Sequence, residues 1–387
     1  MKRIGILTFH RAINYGAYLQ SFSLQQYLSK QFPDCQVEIV DYLPAKENTK
    51  IYRNVLGTLK RKGFRNALYE WKKVRMFADS MKEQVCSPMK LFRDNFEKLF
   101  GYMEERYDLI VVGSDAVLNW NQNGFPSAFF LDYDFPFPVV MYAASAHGLR
   151  YSEISPEQRD YCARCFGRFA VMAVRDHNTE EFIRSCNPAC HPFHVCDPTF
   201  LIDREKVVTL AGEVDKRVSE RYGFDMTQPY VVTMVLNEQV TERIRALFGD
   251  EYRIVTLFKP SKHADVFLYD LNPFEWVIVL SRAALVITQY FHGALLSMRF
   301  GTSTMVVDAS GYEDAYESKL KDLMVTRLLL PERYISQNEL LNGGEDFWTT
   351  AKNLASIDER EYILSRMDHE AQTAECFLDA VRPLMVQ

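Results

Sequence analysis

A histidine in the run ALVITQYFHGALLSMRFGTSTMVV, Ala284 to Val307, is the residue whose neighbours best equip it for chemistry. The run opens on a β-branched stretch, Leu285 to Thr288, that reads as a buried strand. It turns through Tyr290, Phe291, His292 and Gly293, then continues as a helix from Ala294 to Phe300. A second strand, Thr304 to Val307, follows Gly301. Such a strand–turn–helix puts His292 at a helix N-terminus, beside N–H groups that have no intrahelical acceptor. Anions are held there by those donors and by the helix dipole. An imidazole aimed at a bound anion can do acid–base work near neutral pH. Taken alone, a histidine between Phe and a helix of Leu is more often a packing residue; the functional reading depends on the rest of the chain.

Four other apolar runs end in polar residues. Leu109 to Val112 breaks at Gly113 and presents Ser114 and Asp115. Pro138 to Gly148 carries Ser145 and His147 at its tip, Phe169 to Asp176 carries Arg175, and His194 to Ile202 carries Asp197. Any one of these serves equally well as a helix cap or turn residue. Together they match the carboxyl ends of parallel strands, where a doubly wound sheet keeps its ligands.

The elements that would position these groups begin with a strand at RIGILTF, Arg3 to Phe9. A loop from His10 to Gly16 enters a helix running to Phe32, and a strand follows at VEIVDYL, Val37 to Leu43. In that loop Asn14 offers an amide and Gly16 permits close backbone approach. The pattern predicts an α/β protein of two Rossmann-type domains. Residues 1–203 form the first, with a basic helical insertion at about 46–107. Residues 204–387 form the second, which carries the His292 segment and ends in helices that cover it or cross back over the first. In the second, Val231 to Leu236 and Arg253 to Leu257 read as strands, Glu238 to Phe248 as a helix, and Asn272 to Ala283 as a capped helix. No repeat or low-complexity tract stands out.

The 387 residues suffice for two cores, and the apolar (48%) and charged (25%) contents are those of a globular protein. A formal charge of −6 argues against bulk nucleic-acid binding. The apolar run behind Lys2 and Arg3 is too short for a signal peptide, and no run reaches the ~18 apolar residues of a membrane span. The expectation is a soluble cytoplasmic protein, with a peripheral place at the inner face of the membrane left open by the insertion. That insertion holds Lys60, Arg61, Lys62, Arg65, Lys72, Lys73 and Arg75, interleaved with Phe64, Leu68, Tyr69, Trp71 and Phe77. It reads either as a solvated helix face or as a surface for an anionic acceptor or lipid headgroup. The eight cysteines are expected to be reduced thiols. Cys162 and Cys165 sit in a helical pattern. Cys186, Cys190, His191, His194 and Cys196 crowd one segment and are zinc ligands by type, but Cys196 reads as a strand residue facing a core.

Taken in order, ILTFHRAINYGAYLQSFSLQ, VEIVDY, YDLIVVGSDAVLN, FFLDY, YAASAHG, AVRD, CDPTFLI and TQYFHGALLSMRFGT resemble the polysaccharide pyruvyl transferase family, from about Ile6 to Thr302. GSD with Asn119, YAAS, VRD, DPT and FHG are specific as a set rather than singly. The resemblance implies a GT-B-like fold, two Rossmann-type domains with parallel sheets facing a cleft. Two positions depart from the family: Tyr290 stands where Ser is frequent, and Leu118 where Trp is common in the GSD motif.

The resemblance further implies phosphoenolpyruvate as co-substrate and a sugar, oligosaccharide or lipid-linked glycan as acceptor, joined as a pyruvate ketal with release of phosphate. His292 would protonate the donor or its leaving phosphate, Arg175 would clamp the anionic donor, and Asp115 would act as base or orient the acceptor. Asn14, Gly16, Ser114, Ser145, Asp197, Tyr290 and Gly293 would be substrate contacts. His292 and Arg175, from opposite lobes, are expected to converge on the donor. No carboxylate cluster suggests a metal, so metal independence is expected, with no cofactor. Two other readings stay open: a nucleotide-sugar glycosyltransferase, for which Asp308 is a candidate ribose ligand, and a non-catalytic glycan-binding relative.

Overall fold

A computed structural model of the chain describes residues 1–43, 45–89, 91–92, 95–311 and 318–386. Of these, 45–56, 58–59, 61–62, 65–66, 91–92 and 122 are described by backbone alone. The chain divides into two compact units, Met1–Ile202 with Ala371–Gln387, and Asp203–Glu370.

In unit 1 the strands are β1 (Lys2–Leu7), β2 (Cys35–Ile39), β3 (Leu109–Val112), β4 (Val139–Ala144), β5 (Phe169–Val174) and β6 (Phe193–His194). They form one parallel sheet in the order β2-β1-β3-β4-β5-β6. All four residues of β3 and all six of β4 are buried, as continuous apolar strands with both faces covered must be. Its helices include α1 (Tyr15–Gln31), α2 (Ala45–Ser80), α3 (Phe96–Arg106), α4 (Pro156–Phe166) and α5 (His177–Cys186). Around the sheet Phe129, Phe130, Phe166 and Phe182 lie almost wholly inside the core, each contributing ~1.5–3 kcal/mol by burial. The sheet order reverses between β1 and β3, so the ligand crevice of this unit belongs beyond the ends of those two strands.

Two strands are shorter than the sequence suggests. The run Val37 to Leu43 is paired with β1 only as far as Ile39; Tyr42–Leu43 pairs instead with Leu91–Phe92. His194 to Ile202 is not a strand beyond His194, since Pro198–Leu201 is a 3-10 turn. The Asp197 carboxylate accepts from the Thr199 N–H, and Pro198 has no N–H to give a ladder, so the chain turns there. Cys196 is buried as expected, but at a turn rather than within a strand.

Unit 2 holds β7 (Tyr230–Met234), β8 (Arg253–Thr256), β9 (Val266–Phe267), β10 (Leu285–Thr288), β11 (Thr304–Asp308) and β12 (Tyr334–Ser336). They too are parallel, in the order β9-β8-β7-β10-β11-β12. This is the order of a dinucleotide-type Rossmann sheet, with its switch point between β7 and β10. Its helices include α6 (Glu238–Phe248), α7 (Pro273–Ser281), α8 (Phe291–Arg299) and α9 (Glu345–Ser356). Asn272 starts α7 with a full capping box to Glu275, as its sequence promised. The last helix, α10 (Ala374–Val386), belongs to unit 1, where Phe377 packs edge-on against Tyr142 of β4 at 4.9 Å.

Gly113, which ends β3, has φ +137°, and a Cβ there would stand 2.0 Å from the Tyr142 carbonyl oxygen. Only glycine meets both demands. Gly113→Ala is therefore expected to lose more than ~1 kcal/mol of stability in chemical denaturation.

Candidate functional site

The carboxyl ends of β3, β4 and β5 and the turn after β6 are joined by one hydrogen-bonded network. Arg175, which follows β5, donates from Nη1 to Asp197 Oδ2 at 2.8 Å and from Nη2 to Asp115 Oδ1 at 3.2 Å. Arg175 is 5% exposed and Asp197 1%. Burial opposes the guanidinium charge, but Asp115, Asp197 and Asp176 outweigh it and push its pKa up, so the group stays protonated. Asp197 is further fixed by Thr199, whose Oγ1 donates to Oδ1 at 2.7 Å. Asp115 is the more open partner, its side chain 24% exposed.

Asp115 lies at φ +71°, which costs a non-glycine residue ~1–3 kcal/mol. Its neighbours hold it there: the Ser145 N–H donates to the Asp115 carbonyl at 2.8 Å, and Leu118 N–H to the Ser145 carbonyl at 3.1 Å. Ser145 Oγ accepts from the His147 N–H, and the Ser114 hydroxyl is fully buried with no hydrogen-bond partner among the described residues. Of the residues singled out in the sequence, the structure thus brings together Asp115, Ser145, Arg175 and Asp197, with Ser114 adjoining. Asn14 and Gly16 serve α1: Asn14 is its N-cap, accepting from Ala17 N–H at 3.2 Å, and Gly16 lies in the first turn.

A buried cluster at the end of β1 escaped the sequence reading. Asp41 Oδ1 lies 3.0 Å from His10 Nε2, and Arg11 binds both its oxygens, Nε at 2.5 Å and Nη2 at 2.6 Å. Burial would raise the Asp41 pKa; the hydrogen bonds from His10 and Arg11 outweigh it and hold the carboxyl well below the usual range. A carboxyl depressed in the fold stabilises above its unfolded pKa of ~4 and loses that contribution as pH falls below it. Asp41→Asn should therefore flatten the acid limb of the stability–pH curve below ~pH 4, as read by urea denaturation. The signal was there, an acid ending the apolar run VEIV, but its partners lie 30 residues and more away.

In unit 2 the switch point is occupied by the His292 turn. Tyr290 is the N-cap of α8 without a side-chain cap; its N–H donates to Thr288 Oγ1 at 3.0 Å, and its ring packs on Phe258 at 4.6 Å. Burial raises the Tyr290 pKa. His292 and Gly293 fall in the first turn of α8, with His292 half-buried and edge-on to Phe291 at 5.1 Å. A Cβ on Gly293 would stand 2.6 Å from Met234 Cε and 2.8 Å from Thr288 Oγ1, so glycine lets the helix start hard against β7 and β10. Gln289 ties the two strand tips, accepting from the Leu236 N–H at 2.7 Å. Lys319, not singled out in the sequence, brings its ammonium to 5.8 Å from the Phe291 ring. Asp308 accepts from Ser310 N–H, Ser318 Oγ and Tyr334 Oη. It is thus engaged in holding the segment after β11, which weakens its candidacy as a ribose ligand.

Among the described residues Cys186, Cys190, His191 and Cys196 do not come together as a metal-ligand set. The neighbouring Cys186 thiol and burial raise the Cys162 pKa, and Cys196 meets the Tyr142 hydroxyl at 3.6 Å. His191 lies exposed. In α2, Gly63 interrupts the helix; beyond it Phe64, Leu68 and Trp71 are exposed, while Phe77 is buried against Tyr15 and Tyr18. The side chains of Arg61, Lys62 and Arg65 lie outside the described residues. Among the described residues no helix is long and apolar enough to cross a membrane. Unit 1 also holds a cavity of about 870 Å³, walled by Phe96, Phe100, Phe125 and Tyr161 with Asp132 and Asp160 among its polar lining.

The family described as polysaccharide pyruvyl transferase matches residues 14–311, a span that includes the Arg175 network and the His292 turn but begins after His10 and Arg11. No curated protein matches the chain. Among solved structures it is similar to a putative UDP-N-acetylglucosamine 2-epimerase from Listeria monocytogenes, at 11% identity and TM-score 0.56 over 99% of this chain and 96% of that one. The UDP-GlcNAc 2-epimerase of Neisseria meningitidis, solved with UDP-GlcNAc, gives 10% identity and TM-score 0.53 over 96% and 99%. At such identities the likeness shows the fold alone: an α/β, GT-B-like protein with two Rossmann-type units and parallel six-stranded sheets.

Proposed function

The chain belongs to the polysaccharide pyruvyl transferase family, and from that premise we propose that it moves the enolpyruvyl group of phosphoenolpyruvate onto two hydroxyls of a glycan, releasing phosphate. The observation that carries this reading is the His292–Gly293 turn at the unit 2 switch point, a helix start suited to a small anion. In this scheme unit 2 takes the donor and unit 1 the acceptor. His292 delivers a proton to the donor's methylene carbon, making an oxocarbenium-like centre at the neighbouring carbon. The acceptor hydroxyls add there in turn, and phosphate leaves. Of the two protons the hydroxyls lose, one balances that gained by the methyl group and the other departs with phosphate. Asp115 receives a hydroxyl proton, and Arg175 fixes Asp115. Asn14, Gly16, Ser114, Ser145 and Asp197 on unit 1 and Tyr290 and Gly293 on unit 2 are the substrate contacts of this scheme. The reaction runs on side chains, without a cofactor or a catalytic metal.

Phosphoenolpyruvate should raise the thermal midpoint of the protein, as any ligand that binds only the folded state does. It should also release phosphate when a glycan acceptor is present. Protection by nucleotide sugars but not by phosphoenolpyruvate would favour the glycosyltransferase alternative and overturn this reading. Binding without phosphate release across a panel of glycans would favour a glycan-binding relative.

Peripheral membrane contact is part of the same proposal. Phe64, Leu68 and Trp71 recur at helical spacing and are exposed among basic residues. Cosedimentation with vesicles rich in anionic lipid should fall sharply in a Phe64→Ala, Trp71→Ala double variant; unchanged binding, or none at all in the parent, would remove this element.

A further inference from the structure

His177 and His194 lie 17 residues apart in the sequence, but the fold brings them to the two sides of one carboxylate. Glu180 Oε2 lies 2.7 Å from His194 Nε2 and 3.6 Å from His177 Nδ1. The three candidate ligand atoms all fall within 4.8 Å of one another. Two imidazole nitrogens and a carboxylate oxygen bound tetrahedrally at ~2.0–2.2 Å would stand ~3.4 Å apart, a spacing that the two measured distances bracket. The imidazole rings are 4.2 Å apart, centroid to centroid, and inclined at 50°.

Each group is carried by a fixed element. His194 ends β6 and is paired in register with Val174 of β5. His177 opens α5, whose start is capped by Asp176 through the Thr179 N–H at 2.9 Å. Glu180 lies one turn along the same helix, and Arg184 binds its other oxygen, Oε1, at 2.9 Å. That contact orients the carboxylate with Oε2 toward both rings, as an outer-shell partner does for a metal ligand. All three side chains keep access to solvent, between 21% and 44% exposed, so an ion can enter.

The geometry points to His177, Glu180 and His194 as a site for one divalent transition-metal ion of the zinc class. Two imidazoles and a carboxylate suit zinc, cobalt or nickel rather than magnesium or calcium, which prefer all-oxygen sets. The fourth position is left to water. The ion is assigned no step in the transfer reaction. Its place in the fold gives it another role: His177 is two residues after Arg175 and His194 three before Asp197, so the ion would clasp the two segments that carry that ion pair.

The test uses the full chain, free of any affinity tag and stripped with a chelator, titrated with Co²⁺ as a spectroscopic probe and with Zn²⁺ by calorimetry. One equivalent should bind, giving the ligand-field bands of four-coordinate cobalt, and Zn²⁺ should raise the thermal midpoint. His194→Ala and Glu180→Gln should each weaken binding by at least ~10–100-fold, the loss typical even of an outer-shell partner. His177→Ala, at an exposed helix start, supplies a third variant should either of the others fold poorly. His191→Ala should leave binding unchanged. Absence of stoichiometric binding by the parent, or affinity equal to the parent in well-folded variants of the three residues, would overturn the assignment.

Discussion

Replacing His292 by Ala is expected to lower the phosphoenolpyruvate-dependent release of phosphate by ~10²–10⁴-fold in kcat, the usual cost of losing one acid–base group. The side chain is half-buried at the start of α8 and packs against Phe291, so removing it should leave the circular dichroism spectrum and thermal midpoint close to those of the parent. Gly293 and the backbone of the turn stay in place, and donor binding should therefore survive better than turnover. The diagnostic pattern is a fall in kcat with a modest change in KM for phosphoenolpyruvate. A variant that turns over at the parental rate would remove His292 from the chemistry.

Arg175→Leu is expected to be the most damaging single change to stability. Its guanidinium is the counter-ion of Asp197, which is 1% exposed and has its other oxygen committed to Thr199. Removing one member of a buried ion pair strands the other and typically costs ~3–5 kcal/mol. Urea denaturation should show that loss. Asp115→Asn should cost much less, because Asp115 is partly open to solvent and an amide oxygen can still accept from Arg175. If Arg175→Leu stays within ~1 kcal/mol of the parent, the ion pair is not the anchor described.

How far these residues were legible in the sequence depended on whether their signals were local. A β-branched run followed by Gly-Ser-Asp, or by Arg-Asp, announces a strand and its carboxyl end, so Asp115 and Arg175 could be read from the run alone. Asp197 was also read, although the run that carries it proved to be a turn, because Pro198 ends the pairing and not the importance of the residue before it. Tyr290, His292 and Gly293 were legible for the same reason as Asp115. What the sequence concealed were partnerships between elements. His10, Arg11 and Asp41 lie in two different motifs, and nothing in either indicates that an aspartate after β2 turns back to the loop after β1. The crowd of Cys and His between 186 and 196 suggested a ligand set by proximity along the chain. Among the described residues the fold does not make a ligand set of it and joins His194 instead to Glu180 on α5, because β6 and α5 lie side by side only once the sheet is built.

The last helix has a consequence for how the molecule is made. The chain leaves unit 1 after Ile202 and returns only at Ala371, and α10 then packs Phe377 on Tyr142 while Met385 accepts from the Lys2 ammonium at 2.8 Å. Domains emerging from a ribosome tend to fold in the order in which they are synthesised. Here unit 1 cannot cover its apolar flank until the segment from Ala371 onward has been made, whereas unit 2 is one continuous stretch and can complete itself earlier. Removing the segment from Ala374 onward would thus injure unit 1, although unit 2 lies nearer to the cut along the chain.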